Sequence, residues 1–270
     1  MMDGQFSGGW NGMFPSVWFA AIFALVGAAV GSFLNVCISR IPEGISIVSP
    51  SSRCPQCGHP IRFYDNIPVI SYLFLMGKCR DCKGKISFRY PLIEFVTAVF
   101  AWLLFQKYGL TPAYPAVFIF VCTLIVITFI DIDQQIIPHV LTLIGIPLFA
   151  LLAVFFMGLT AVDSFLGIMI GAGALYFVAV YYEALAGREG MGGGDINLLA
   201  MLGAFLGWKS LLFILLVSSL IGAVVGIAVM LIKGKDMRYA IPFGPFLCAA
   251  AIFYLFFGDD LTGLFLSFRI

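Results

Sequence analysis

Two groups of residues in this 270-residue chain have types and spacings suited to chemistry, and the first is a pair of acids. Asp131 lies near the end of the apolar run TLIVITFIDID, and Asp195 follows the glycines of GMGGGDINLLA. A carboxylate in or beside an apolar span is costly, so it implies a partner or a task. Taken singly, Asp131 could mark a helix end and Asp195 could cap a helix beginning at Ile196. Taken together, two carboxylates on different helices can share one proton, with like-charge repulsion splitting their titration. Such a dyad activates water against a peptide carbonyl, one group serving as base and the other as acid. A helix N-terminus at Asp195 would favour its ionised form, which leaves the shared proton on Asp131. Gly192–Gly194 free the backbone to approach an extended substrate. Asp133 rivals Asp131, since two residues along a helix turn a side chain by about 200° and only one can face a given partner.

The second group is four cysteines, Cys54, Cys57, Cys79 and Cys82, arranged as C-x2-C, 21 residues, C-x2-C. Each C-x2-C turn aims two thiolates at one point, and two such turns complete the tetrahedron that zinc favours. Two disulfides or four free thiols are the alternatives, the first disfavoured in a reducing compartment and the second by the paired spacing. Four cysteine ligands leave no open position, so the zinc is expected to be structural. His59 is a rival ligand. Cys37, Cys122 and Cys248 lie in or beside apolar runs, where cysteine commonly serves as a small buried hydrophobe.

The elements that must hold these groups follow from composition. Hydrophobic residues make up 61% of the chain and charged residues 11%, and the mean hydropathy is +1.05, well above soluble domains. The formal charge of +1 offers no basic face for nucleic acid. Apolar spans are expected at Val17–Ser39, Leu92–Gln106, Tyr114–Ile130, Pro138–Met157, Phe165–Tyr182, Ile196–Leu206, Leu211–Ile232 and Phe243–Phe257. Several fall short of the ~20 residues of a perpendicular helix, so tilted or cavity-lining segments are expected. Met1–Pro15 has no Lys or Arg, so the first span does not resemble a cleaved signal peptide. With the N-terminus outside, every Lys and Arg except Lys107, Lys209 and Arg269 falls on the cytoplasmic side.

The expected fold is therefore an all-α polytopic membrane protein of about eight transmembrane helices, with a small cytoplasmic zinc-binding domain between the first and second. The expected domains are 1–39, an N-terminal segment and first transmembrane helix; 40–90, the cytoplasmic zinc-binding domain; and 91–270, the transmembrane catalytic domain. An insert of this size has too small a core to fold without such a staple.

The motifs also resemble a known family. Asp131-Ile-Asp133-Gln-Gln-Ile-Ile137-Pro138, followed by Gly192-Gly193-Gly194-Asp195, resembles the D-x-D/R-x-x-x-I/L-P and GxGD motifs of type IV prepilin peptidases, a family of GxGD aspartyl proteases. GSFLNVCISRIP (Gly31–Pro42), the two CxxC pairs and RYPLIE (Arg89–Glu94) occur in the family's order. The resemblance implies that Asp131 and Asp195 are catalytic. It implies cleavage of the leader peptide of type IV prepilins, and of the pseudopilins of type II secretion, near the cytoplasmic face of the bacterial inner membrane. It also implies N-methylation of the new N-terminal residue, usually Phe, from S-adenosylmethionine, an activity associated with the cysteine-bearing domain. Two residues depart from the family pattern: His139 stands where Asp or Asn is usual, and Asn197 where Lys is usual.

No Gly-rich loop after a strand offers a nucleotide-type site for S-adenosylmethionine. Glu94 is the candidate contact for this cofactor, with a buried ion pair to Arg89 or Arg40 as its alternative. The other functions left open are a peptidase without the transferase, a proton- or ion-coupled transporter using the same aspartates, and a non-catalytic zinc-bearing subunit.

Overall fold

A computed structural model describes residues 16–187, 192–233 and 242–267. The segment 1–15 and the basic residues Arg188, Lys235, Arg238 and Arg269 of the topology expectation lie outside the described residues. The chain is helical: α1 Ser16–Arg40, α2 Ile70–Phe74, α3 Arg89–Tyr108, α4 Ala113–Gln134, α5 His139–Phe156, α6 Ala161–Ala186, α7 Gly193–Leu206, α8 Trp208–Lys233 and α9 Gly244–Ser267. Among the described residues there is no β-strand, only isolated bridges at Arg53–Pro60 and Lys78–Lys85. Each of the eight expected spans coincides with a helix.

Among the described residues, five helices are long and apolar enough to cross a membrane: Trp18–Arg40 within α1, then α4, α5, α6 and Trp208–Ile232 within α8. The apolar helices α7 and Gly244–Gly258 within α9 are shorter. The 20-residue α3 is not among the five, its apolar run being diluted by Arg89, Glu94, Gln106 and Lys107. Helices suit this chain because each satisfies its own backbone in a medium without water.

The chain divides into two compact units, one of residues before Ile38 together with Ser46–Phe118, the other of Ile38–Ile45 and residues from Ile119 onward. In the first, α1 and α3 meet through glycine. A Cβ on Gly31 would lie 2.7 Å from the Glu94 Cα, and one on Gly27 would strike Ala101. Small residues four apart thus allow backbone-to-backbone approach. One turn on from Gly31, Asn35 Nδ2 donates to the Gly31 and Tyr90 carbonyls, both at 3.2 Å.

In the second unit, α7 is the central element. Every residue from Leu198 to Phe205 is buried, as befits a helix apolar on all sides. It packs chiefly on α6 and α5. Gly167 and Gly203 oppose one another so closely that a Cβ on either would strike the other's carbonyl oxygen. Ser164 Oγ, one turn before Gly167, donates to the Ala204 carbonyl at 2.7 Å. Phe120, Phe149 and Phe205 join α4, α5 and α7, with Phe120 stacked on Phe205 at 4.1 Å between ring centroids. At the start of α6, Thr160 Oγ1 caps the Asp163 N–H at 3.0 Å, and Asp163 accepts from Trp208 Nε1 at 3.0 Å, fixing the start of α8.

Candidate functional site

The acidic site is assembled from three helix ends of the second unit. The helix α4 continues through Gln134, so Asp131 and Asp133 point in different directions: Asp131 is 5% exposed and Asp133 is on the surface. Gln135 then adopts φ +56° and donates its N–H to the Asp131 carbonyl at 2.9 Å, ending the helix in a left-handed turn. The segment that follows carries Ile137 to the first turn of α7. A Cβ on Gly194 would lie 2.8 Å from the Ile137 Cβ, so the glycine permits this approach. Gly192 precedes the helix in an extended conformation, and Asp195 falls in its first turn.

Gly244 and Ile137 sit between the end of α4 and the first turn of α7, which places the Asp131 and Asp195 carboxyl groups within electrostatic reach of one another. Asp131 Oδ2 accepts a buried hydrogen bond from the Gly244 N–H at 3.0 Å, at the first residue of α9. Asp195 Oδ1 is buried with no hydrogen-bond partner among the described residues. Both carboxyl groups therefore lie at a helix N-terminus, Asp195 on α7 and Asp131 against α9. The macrodipole does not distinguish them, and the expectation that Asp131 holds the shared proton loses its basis.

Three further residues lie close to these helix ends. Cys248 of α9, 1% exposed, faces both carboxyl groups and shares a hydrogen bond with Thr128. His139 and Asn197, the two departures from the family pattern, meet at 3.1 Å between Nδ1 and Nδ2. Sequence reasoning passed over Gly244 and took Cys248 only as a buried hydrophobe. The signal for Gly244 was its place between Pro242 and Pro245 just before an apolar run, which punctuates a helix start.

The first unit holds the cysteines. The thiol sulfurs of Cys54, Cys57, Cys79 and Cys82 lie within 4.8 Å of one another, and those of Cys54 and Cys82 are 3.9 Å apart. Tetrahedral zinc with Zn–S near 2.3 Å requires about 3.8 Å between sulfurs, so the cluster fits the metal. His59 is not part of the cluster; its carbonyl accepts the Cys54 N–H at 2.9 Å. The two turns match: Cys79 N–H donates to Gly84 O at 2.8 Å, and the residues after each pair, Gly58 and Lys83, have φ +70° and +57°. The backbone N–H groups of Cys57 and Gln56 bring the Cys54 thiol down to about 7, which suits a metal-binding thiolate.

Glu94, the cofactor candidate, is buried at 9% exposure. Its Oε2 accepts the Val69 N–H at 2.7 Å, and it shares a hydrogen bond with Ser32. Val69 has φ +61°, a strained conformation for a β-branched residue, and the carboxylate holds it there. Beside this loop, Arg80 grips Asp65 with Nε at 2.9 Å and Nη2 at 2.6 Å, which lowers the Asp65 carboxyl below its ordinary range. Tyr64, Asp65, Ile67, Ile70, Ser71, Phe74, Leu75 and Arg80 line a cavity of about 380 Å³.

Known proteins resemble the chain across both units. Residues 25–108 match the bacterial peptidase A24 N-terminal domain, and residues 118–227 match the type IV leader peptidase family. The prepilin leader peptidase/N-methyltransferase of Aeromonas salmonicida (strain A449) is 38% identical over 94% of this chain and 95% of its own length. The protein of the same name from Pseudomonas aeruginosa is 36% identical over 90% and 92%. That of Myxococcus xanthus is 40% identical over 80% of this chain and 65% of its own. No significant match to a solved structure is found.

Proposed function

This chain belongs to the type IV leader peptidase family, and we propose on that footing that it cleaves the leader from type IV prepilins and pseudopilins and N-methylates the residue exposed. The observation that carries the cleavage step is the meeting of Asp131 and Asp195, on different helices, in one buried site with two helix N-termini. One carboxylate takes a proton from water, whose oxygen attacks the scissile carbonyl carbon. The other gives its proton to the departing amine as the C–N bond breaks, and the pair ends sharing one proton again. Asp195 Oδ1, with no donor among the described residues, is the atom we assign to hold that water or proton.

S-adenosylmethionine supplies the methyl group for the second step. The cysteines Cys54, Cys57, Cys79 and Cys82 would hold a structural zinc, closing the insert over a core too small to fold unaided. Glu94 supports the transferase by fixing the Val69 loop, its Oε2 being engaged by the backbone. The distribution of Lys and Arg supports a multi-pass protein of the bacterial inner membrane, with both sites towards the cytoplasm. A peptidase lacking the transferase and an ion-coupled transporter are not favoured, because the relatives that match nearly the whole chain are named for both activities.

The test is to incubate the purified protein with a prepilin and labelled S-adenosylmethionine and to follow the pilin N-terminus by mass. Wild type should remove the leader and add a methyl group. Asp131→Asn and Asp195→Asn should each lose cleavage by about 10³-fold or more, while still methylating a pilin supplied already cut. Cleavage by either variant near the wild-type rate would end the dyad assignment, and proton flux without peptide processing would favour the transporter.

A further inference from the structure

At the start of α9, Phe246 N–H and Leu247 N–H donate to the Phe243 carbonyl at 3.1 and 3.3 Å, and Pro245 has no N–H. The remaining backbone donor of this turn is Gly244, and it points at Asp131 Oδ2. The same residue leaves no room for a side chain. A Cβ there would lie 2.6 Å from Asp131 Oδ2, 3.3 Å from its Cγ and 3.1 Å from Ile137 Cδ1. Real Cβ atoms do not approach an oxygen so closely, and this oxygen belongs to a short side chain in a buried site, which has little freedom to give way.

We infer that Gly244 is a positioning residue for peptide cleavage: its backbone N–H aims the Asp131 carboxyl group, and its missing Cβ leaves the space that group occupies. The inference rests on Asp131 acting in the dyad. A backbone donor at the rigid end of a helix fixes a carboxylate more narrowly than a side-chain donor, because it has no rotamers to lose. Precise aim matters because a small misplacement of a reacting group costs large factors in rate. The hydrogen bond belongs to the charge-assisted class whenever Asp131 is ionised, so its loss is felt in turnover.

Two changes at this position separate the donor from the space. Gly244→Ala keeps the N–H and adds the Cβ, whereas an amide-to-ester replacement at Gly244 removes the N–H and adds nothing. Both are expected to lower kcat for prepilin cleavage by about tenfold or more, with KM within about twofold. Gly222→Ala in α8, whose Cβ would meet Phe246 of α9 at 3.3 Å, serves as the control and should keep kcat within about twofold. If the ester variant turns over at the wild-type rate while Asp131→Asn is inactive, the inference fails and the dyad stands. If Gly244→Ala loses unfolding midpoint, KM and kcat together and the ester does not, the glycine is a packing residue only and the inference again fails. If Asp131→Asn itself cleaves, the dyad has failed first.

Discussion

Asp131 and Asp133 illustrate what a single turn of helix decides. Both are acids at the end of an apolar run, and periodicity alone does not choose between them; burial of the first and exposure of the second does. Asp133→Asn is therefore expected to keep cleavage within about threefold of wild type, measured by the rate of leader removal. His139 and Asn197 are individually departures from the family pattern, yet they touch each other across the starts of α5 and α7. A double-mutant cycle with His139→Ala and Asn197→Ala should give a coupling of about 0.5–1.5 kcal/mol in unfolding free energy; additive losses would mean that the contact contributes nothing. Asp131, Asp195 and the four cysteines stood out in the sequence because their residue types are expensive in that setting or spaced for one geometry. Gly244 and the place of Cys248 were not, because what distinguishes them is a neighbour more than 100 positions away along the chain.

The apolar helices were legible in number and place, since a long apolar run has one solution in lipid, although α9 runs on to Ser267 past the expected Phe257. Which faces pack was harder to see, because helices that are apolar all round show no amphipathic stripe. The contact of α6 with α7 depends instead on Gly167, Gly171 and Gly203. A Cβ on Gly171 would sit 2.6 Å from the Leu199 carbonyl oxygen, so the two helices lie backbone to backbone here. Gly203→Val has no flexible neighbour to displace and is expected to destabilise the protein by about 1–3 kcal/mol or more. Its signature is a lower unfolding midpoint together with lost cleavage, since α7 also carries Asp195. Retention of both would show that α6 and α7 separate without cost.

At the level of the molecule, the order of motifs along the chain was legible, whereas the grouping of the insert with α1 and α3 was not. That grouping rests on Gly31, Asn35 and Glu94, whose partners the sequence does not reveal. Treatment with a strong chelator should loosen the insert and cut methylation much more than cleavage if the cysteines hold a metal, because the cysteines and the acids belong to different units. Equal loss of both activities would instead tie the metal to the dyad. The insert also has an acid-sensitive tie in Asp65 and Arg80. Asp65 is held below its ordinary carboxyl range, so the pair's contribution is complete above about pH 4 and fades as pH falls through the lowered value. The difference in protease resistance between wild type and Asp65→Asn should accordingly be present at pH 6 and shrink in strong acid.

The brevity of α7 has a consequence for the bilayer itself. Fourteen residues reach about 21 Å at 1.5 Å each, against a hydrocarbon layer of about 30 Å. A helix of that length does not bridge the layer by itself, and the backbone at its ends must meet protein or water. Acyl-chain length becomes a variable of the reaction: bilayers of longer lipids raise the mismatch, and the enzyme reconstituted in them should cut more slowly than in thinner ones.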